Sequence, residues 1–309
     1  MIKQMVRLAW LPLVGMLACS QYKDTPIRGE ITIASDESFQ PMVDAIYKAY
    51  EGVYTETKFN VLYRPEQAAI NTLLQDSARL VFAARDLNER EKAALQQQKI
   101  TTRSQVIATD GIALIVGRGQ TDSLMTMTEL KAIFEGRLKD WSQLEGNRQS
   151  GPIVLVFDNN NSSNLNYMLA KLGVNDVSNL RIFTTRSNRE VIDYVRKNPT
   201  ALGFIGVNWI SDGDTPLTDE LSRDIRVLGV SDKTKPASVN DYYQPFQANL
   251  AMQRYPLRRK VWVISREVHS GLGGGLMTYI ARDVGGLLIE KSGLWPQVPY
   301  NRTVELRKN

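Results

Sequence analysis

Glu30 to Tyr50 reads EITIASDESFQPMVDAIYKAY: a short β-branched run, a polar turn at Ser35 to Ser38, then Met42, Val43, Ile46, Tyr47 and Tyr50 at helical spacing. The same order of strand, loop and helix returns at Pro152 to Phe157 (PIVLVF), Asp158 to Asn164 (DNNNSSN) and Leu165 to Leu172, before Gly173. A chain that repeats this unit builds an α/β fold, with a mainly parallel sheet covered by helices.

Working outward, strands are expected at Lys58 to Tyr63, Arg79 to Ala84, Gln105 to Ala108 and Gly111 to Val116, with helices at Gln67 to Leu74 and Glu89 to Gln98. Thr126 and Glu129 have capping-box spacing, and Leu130, Ile133, Phe134 and Leu138 form the apolar face of the helix they would start. Trp141 marks a packed turn. Glu190 to Lys197 is an amphipathic helix stopped by Asn198-Pro199, and Leu202 to Val207 is a strand. The pattern continues with strands at Gln247 to Met252 and Lys260 to Ser265 and one final helix from Leu276 to Lys291.

The 309 residues suggest about two domains at roughly 150 residues each. With 43% hydrophobic and 23% charged residues, the chain is neither disordered nor collagenous nor a polytopic membrane protein. Lys and Arg total 38 against 33 Asp and Glu, too small an excess to indicate nucleic acid. A single cysteine excludes an internal disulfide and Cys-rich zinc sites, and a single histidine excludes His-cluster metal sites. An enzyme is not expected, and no cofactor is implied.

Lys3 and Arg7 precede Leu8 to Ala18 (LAWLPLVGMLA), an apolar run of 11 residues. At about 1.5 Å each they cannot cross a hydrocarbon core of about 30 Å, so residues 1–18 read as a signal peptide. Ala18 stands directly before Cys19, and the segment resembles a bacterial lipoprotein signal, with Met16 at the usual Leu position. The resemblance implies a lipid on Cys19, a polar tether over 19–28, and a periplasmic protein anchored to an envelope membrane. Ser20, which is not acidic, leans towards the outer membrane. An ordinary secretory signal with an incidental cysteine is the alternative.

A helix N-terminus carries unpaired N–H groups and about half a positive charge, so a loop from strand to helix is a natural anion site. Two such loops, Ser35 to Phe39 and Asn159 to Asn164, would close on an oxyanion if they faced each other across a cleft. Charge-assisted hydrogen bonds contribute about 1.5 to 3 kcal/mol each, and micromolar affinity corresponds to about 8 kcal/mol. Ser, Asp and Asn before a helix also serve as simple caps.

The blocks ITIASDESFQPMVDAI, VIATDGIALIVGRG, MTELKAIFEGRLKDWSQL, VIDYVRKNPTALGFIGV and RYPLRRKVWVIS resemble, in that order, the phosphate-binding periplasmic proteins of ABC transporters. The resemblance covers about Gly29 to Val298. It implies the type II periplasmic-binding-protein fold, with two α/β lobes, two hinge crossings and a ligand cleft. Lobe I would be 29–109 plus 247–309, and lobe II 110–246. The implied ligand is phosphate or another oxyanion, and the implied partner is an ABC permease or another envelope protein.

Carried over residue by residue, the Ser38 hydroxyl and Phe39 N–H are the ligand donors of the first loop. The family's second loop is an Arg, three residues, then Ser-Gly-Thr. Here it is Asp158, Asn159 to Asn161, then Ser162, Ser163 and Asn164, so Ser162 matches and the arginine has become an acid. The family's carboxylate in the first lobe aligns with Arg85, and Arg64-Pro65-Glu66-Gln67 replaces its glycine-rich turn. A carboxylate some 4 Å from an anion repels it by about 4 kcal/mol at an effective dielectric of about 20. The exchange looks reciprocal, so Arg85 and Asp158 are expected either to share an oxyanion with swapped roles or to bridge directly. A scaffold that has lost phosphate affinity and serves as an envelope interaction or sensing module is the rival reading.

Four further signals have plain readings. Gly271-Leu272-Gly273-Gly274-Gly275 lacks the last position of a dinucleotide fingerprint and reads as a turn into a helix. His269 reads as a lone loop residue, Arg254, Arg258, Arg259 and Lys260 as a solvated basic edge, and Asp212-Gly213-Asp214 as a turn rather than a calcium loop.

Overall fold

The computed structural model describes residues 24–300 apart from 122, 145, 147 and 212–215. The leader, Cys19 and Asp212-Gly213-Asp214 lie outside the described residues.

The first half runs β1 (Gly29–Asp36), α1 (Gln40–Val53), β2 (Thr57–Arg64), α2 (Glu66–Leu74), β3 (Leu80–Ala83) and α3 (Glu89–Gln97) into the long β4 (Arg103–Gly117). The second half runs β5 (Leu124–Thr126), α4 (Met127–Phe134), β6 (Val154–Phe157), α5 (Ser163–Leu172), β7 (Ile182–Thr184), α6 (Asn188–Lys197) and β8 (Ala201–Gly206). It continues through α7 (Pro216–Ser222), β9 (Ile225–Val227), β10 (Gly229–Ser231) and α8 (Gln247–Ala251). The chain then returns by β11 (Arg258–Ser265), α9 (Leu272–Ile280), α10 (Asp283–Lys291) and β12 (Trp295–Pro296).

The main sheet has the order β2-β1-β3-β11-β4-β8-β6-β7. Pairing is parallel between β1 and both β2 and β3, and again between β6 and both β7 and β8. The seam between these parallel blocks is antiparallel. Strand β11 pairs with β3 and β4, and β4 pairs with β8. Within β4, Arg103 to Gly111 lie against β11, whereas Ile112 to Ile115 lie against β8. Asp110, opposite Arg259, stands next to that handover.

Alternation along the strands gives each half a core on both sheet faces. Ile33, Phe82 and Val263 pack with Met42, Ile46 and Leu276, while Ala34, Val81 and Ile264 pack with Ile70, Leu73 and Leu95. In the second half Leu155, Phe157 and Phe204 pack with Phe134, Trp141 and Met168, and Val156 and Ile205 with Val191 and Val195. Phe157 stacks on Phe204 with centroids 4.6 Å apart. Leu250, Tyr255 and Leu257 join the second half's core, so the chain stays with that half until β11 begins.

Two expected elements differ. Gln247 to Met252 is not a strand but the short helix α8, since five apolar and amide residues carry no decisive period and Leu250 is drawn onto a helical packing surface. The single final helix is two, α9 and α10. Gly285 packs on the Ile280 backbone and Gly286 on Val298, approaches that need the chain to break and turn between them. Among the described residues no helix is long and apolar enough to cross a membrane.

Candidate functional site

Both strand-to-helix corners end at the same buried place. Asp36 closes β1 and accepts from the Ser38 N–H at 3.1 Å, which fixes the one-turn 3-10 helix Glu37–Phe39. Ser162 caps α5, its Oγ accepting from Asn164 N at 3.1 Å and Leu165 N at 3.3 Å. Ser163 and Asn164 follow in the first turn of α5 and are buried. Across the junction Ser38 Oγ lies 3.1 Å from Ser163 Oγ and donates to Asn164 Oδ1 at 3.4 Å.

The turn after β8 supplies a third wall. Asn208 Nδ2 and Trp209 Nε1 both donate to the Ser38 carbonyl, at 2.8 and 3.1 Å. Gly206 permits this approach, because a Cβ there would stand 3.1 Å from the Ser38 oxygen and 2.9 Å from Asn208 Nδ2. Glu37 reaches the start of α6, where its carboxylate accepts from Asn188 N at 3.1 and 3.2 Å and from Asn188 Nδ2 at 2.6 Å. A side chain of the first half thus occupies a helix N-terminus of the second.

The cation here is Arg259. It is 5% exposed, pairs through Nε with Asp110 Oδ2 at 2.9 Å, donates from Nη1 to Ser163 Oγ at 3.0 Å and lies over the Phe39 ring at 4.8 Å. Its Nη2 and Asp36 Oδ2 are buried without a hydrogen-bond partner among the described residues. The reading of Arg259 as part of a solvated basic edge is therefore corrected. Alternate residues of β11 face opposite sides, and Arg259 takes the inward one.

Five carboxyl groups, Asp36, Glu37, Glu66, Asp110 and Asp158, interact electrostatically with this arginine or with one another. Burial pushes Glu37 up to about 8 and Asp158 up to about 6, with the Asp36 charge adding to both. Burial also raises Glu66 and Asp110, the latter against the pull of Arg259.

Asp158 is 1% exposed and accepts from the hydroxyl of Ser162, from Asn159 Nδ2 and, at 3.5 Å, from Asn164 Nδ2. It braces the second corner from below. Arg85 does not bridge to it. Its guanidinium forms two bonds of 2.8 Å with Glu91, one of 2.9 Å with Gln67 and a longer pairing of 3.7 Å with Glu66. The expected direct bridge is corrected: a fork-shaped cation beside a carboxylate on the adjoining helix finds its bidentate partner locally.

Ser38, Phe39, Ser162, Ser163, Asn164 and Asp158 are thus brought together, and Arg85 stands apart. Sequence reasoning missed Glu37, Asp110, Asn188, Asn208 and Arg259. Asp110 carried a signal, since one acid interrupts the apolar block VIATDGIALIV. His269 is also less isolated than expected. Its Nε2 is 3.4 Å from Asp24 Oδ1, and Asp24, Glu267 and His269 each place a ligand atom within 4.8 Å of the others. Glu267, however, accepts from the N–H groups of Gly273 and Gly274, so the glycine run starts α9 as a capped helix end.

Two α/β halves joined through β4 and β11, with polar corners meeting at the joint, define the architecture of the periplasmic solute-binding proteins. Residues 20–284 match the family described as the PBP superfamily domain, and the chain belongs to that family. It is 28% identical over 116 residues to Phosphate-binding protein PstS 2 of Streptococcus agalactiae serotype V, and the match spans 38% of each chain. With Phosphate-binding protein PstS of a Staphylococcus aureus strain it shares 20% identity over 221 residues, 71% of this chain and 67% of that one. Among solved structures, a Clostridium perfringens protein with bound phosphate superposes with a TM-score of 0.71 at 20% identity, covering 87% of this chain and 99% of that one. An ABC-type phosphate transport receptor from Vibrio cholerae gives 0.63 at 20% identity, over 87% and 100%. These likenesses show the fold.

Proposed function

We propose that this chain is a solute-binding protein that takes phosphate or a related oxyanion at the junction of its two halves and presents it to an ABC permease. The halves act as lobes that hinge about β4 and β11. The observation that carries the reading is the meeting of Ser38 with Ser163 and Asn164 beside the buried Arg259. As the lobes part, that contact opens. An anion then enters between Ser38, the Phe39 N–H, the hydroxyls of Ser162 and Ser163 and the Asn164 amide, with Arg259 as its counter-charge. Arg85, held by Glu91, is left out of this ligand set. Asp158 and Glu37 oppose an anion when ionised and donate a hydrogen bond to it when protonated. In the same reading Cys19 carries the lipid and residues up to 28 tether the lobes to the envelope membrane.

A specific feature favours a second reading, in which the lobes stay shut and the molecule is an interaction or sensing scaffold. Glu37 already supplies an anion to the α6 N-terminus, and four further carboxyl groups, Asp36, Glu66, Asp110 and Asp158, share one arginine. Calorimetric titration of the mature chain with phosphate and sulfate separates the two. Submillimolar heat that vanishes in Ser38→Ala/Ser163→Ala supports solute binding, and silence with both anions supports the scaffold. Sulfate keeps its charge across the range, so its affinity should rise as pH falls from 8.5 to 5.5, through the values of about 8 for Glu37 and about 6 for Asp158. Affinity that climbs with pH would refute the assigned role of these carboxyls.

A further inference from the structure

Behind the joint, on the face of β11 taken by Arg258 and Lys260, lies a cavity of about 300 Å³. Its walls are Thr109 of β4, Arg258 to Lys260 of β11, Leu250, Ala251 and Gln253 around the end of α8, Trp295 to Gln297 at β12, and Lys171 near the end of α5. Lys171, Arg258 and Lys260 converge there, and none of the described lining residues is acidic. That composition is the reverse of the carboxyl-rich junction on the opposite side of the strand.

The cations are poorly matched within the protein. Arg258 Nε is buried without a hydrogen-bond partner among the described residues. Lys260 Nζ donates to Thr109 Oγ1 at 3.2 Å, a neutral acceptor. Arg259 contributes to the wall while its guanidinium is committed to Asp110 and Ser163. Burying a guanidinium nitrogen without a partner is unfavourable, and a pocket holding several like charges without counter-charge gains most from an anion.

We infer that this pocket is an anion site for a phosphate-bearing group of two or more negative charges, held by Arg258, Lys260 and Lys171 with Trp295 as its floor. Its volume lies at the lower end of small-molecule sites, which run from about 300 to 1,000 Å³. Lys171 belongs to the second half and Lys260 and Gln297 to the returning segment, so the occupant touches both sides of the joint. The Tyr167 hydroxyl, one turn before Lys171, donates to the Arg258 carbonyl at 2.7 Å and ties the same two elements together. A bound anion would therefore bias the angle between the halves from behind. The group could belong to a soluble phosphate ester or to a lipid headgroup, since the recognised chemistry is the same.

Pyrophosphate is the soluble probe and phosphatidylglycerol vesicles the membrane probe, each tested on the mature chain without its lipid. Submillimolar pyrophosphate binding that weakens at least about tenfold in Arg258→Gln/Lys260→Gln, and is unchanged in Ser38→Ala/Ser163→Ala, supports the site with a soluble ligand. Co-sedimentation with phosphatidylglycerol but not phosphatidylcholine vesicles, lost in the same Arg258/Lys260 variant, supports it with a lipid source. Lys171→Gln lies on an exposed helix face and keeps the test open if the double variant fails to fold. It should weaken binding several-fold. Absence of binding to both probes, or binding that survives all these substitutions or answers only to Ser38 and Ser163, overturns the inference. Because the two sites respond to different variants, failure here is distinguishable from failure of the junction as a phosphate site.

Discussion

Arg259 and Asp110 are paired in register on the two central strands and almost wholly withdrawn from water. Removing one member leaves a buried charge without compensation, which typically costs about 3–5 kcal/mol, whereas removing both can be nearly neutral. Arg259→Met is therefore expected to lower urea-unfolding stability by about that amount, and Arg259→Met/Asp110→Leu to recover only part of it, because Asp36, Glu66 and Asp158 still lose their counter-charge. Glu37 makes a pH-dependent contribution of the opposite kind. Its folded value of about 8 lies above its ordinary 4.5, so the native state binds the extra proton, and stability is greatest at low pH and declines as pH rises through that window. Glu37→Gln keeps an oxygen for Asn188 and should flatten the fall in melting temperature between pH 5 and pH 8. The serines of both corners were readable because small polar residues between an apolar strand and a helical period mark a cap or an anion loop. Arg259 was not. Three successive cations, Arg258 to Lys260, mask the alternation that sends the middle one inward.

At the scale of elements, the capping boxes at Thr126 and Asn88 form with reciprocal bonds, and the one at Asn88 is tied to a larger network. Glu91 closes that box and also grips Arg85. Burial pushes its carboxyl up, but Arg85, Gln67 and the Asn88 N–H outweigh this and hold it at about 2. The stabilisation is present above the ordinary 4.5 and is lost as pH falls towards 2. Glu91→Gln should then cost about 1–3 kcal/mol at neutral pH, shrinking in acid, as measured by urea unfolding over a pH series. Gly275 in α9 offers a test where helix propensity and packing disagree. An alanine would gain up to about 1 kcal/mol of propensity. Its Cβ, however, would stand 2.6 Å from Tyr50 Oη and even closer to the Pro26 carbonyl. The contact wins, and Gly275→Ala should lower the melting temperature rather than raise it. Helix α8 shows what short elements withhold from the reader: five residues without a full turn of pattern take their form from what they pack against.

For the whole molecule, the joint rests on a few bonds between the halves: Ser38 to Ser163 and Asn164, Glu37 to Asn188, and Asn208 and Trp209 to the Ser38 carbonyl. Ser38→Ala/Asn188→Ala removes part of this set and leaves each half's apolar core intact. Faster amide hydrogen exchange at the starts of α5 and α6, with cores as protected as before, is the expected result. Uniform loss of protection would show that the halves do not move as separate lobes. By itself the sequence determined most of the alternation of strands and helices and the two polar corners, because periodicity and caps are local and survive in a linear reading. Only the tertiary structure decided the antiparallel seam, the inward turn of Arg259, the local capture of Arg85 by Glu91, and the crowding of four carboxyl groups about one arginine. Those outcomes depend on which strands become neighbours and on how burial weighs charge against charge, and neither is written in the spacing of residues along the chain.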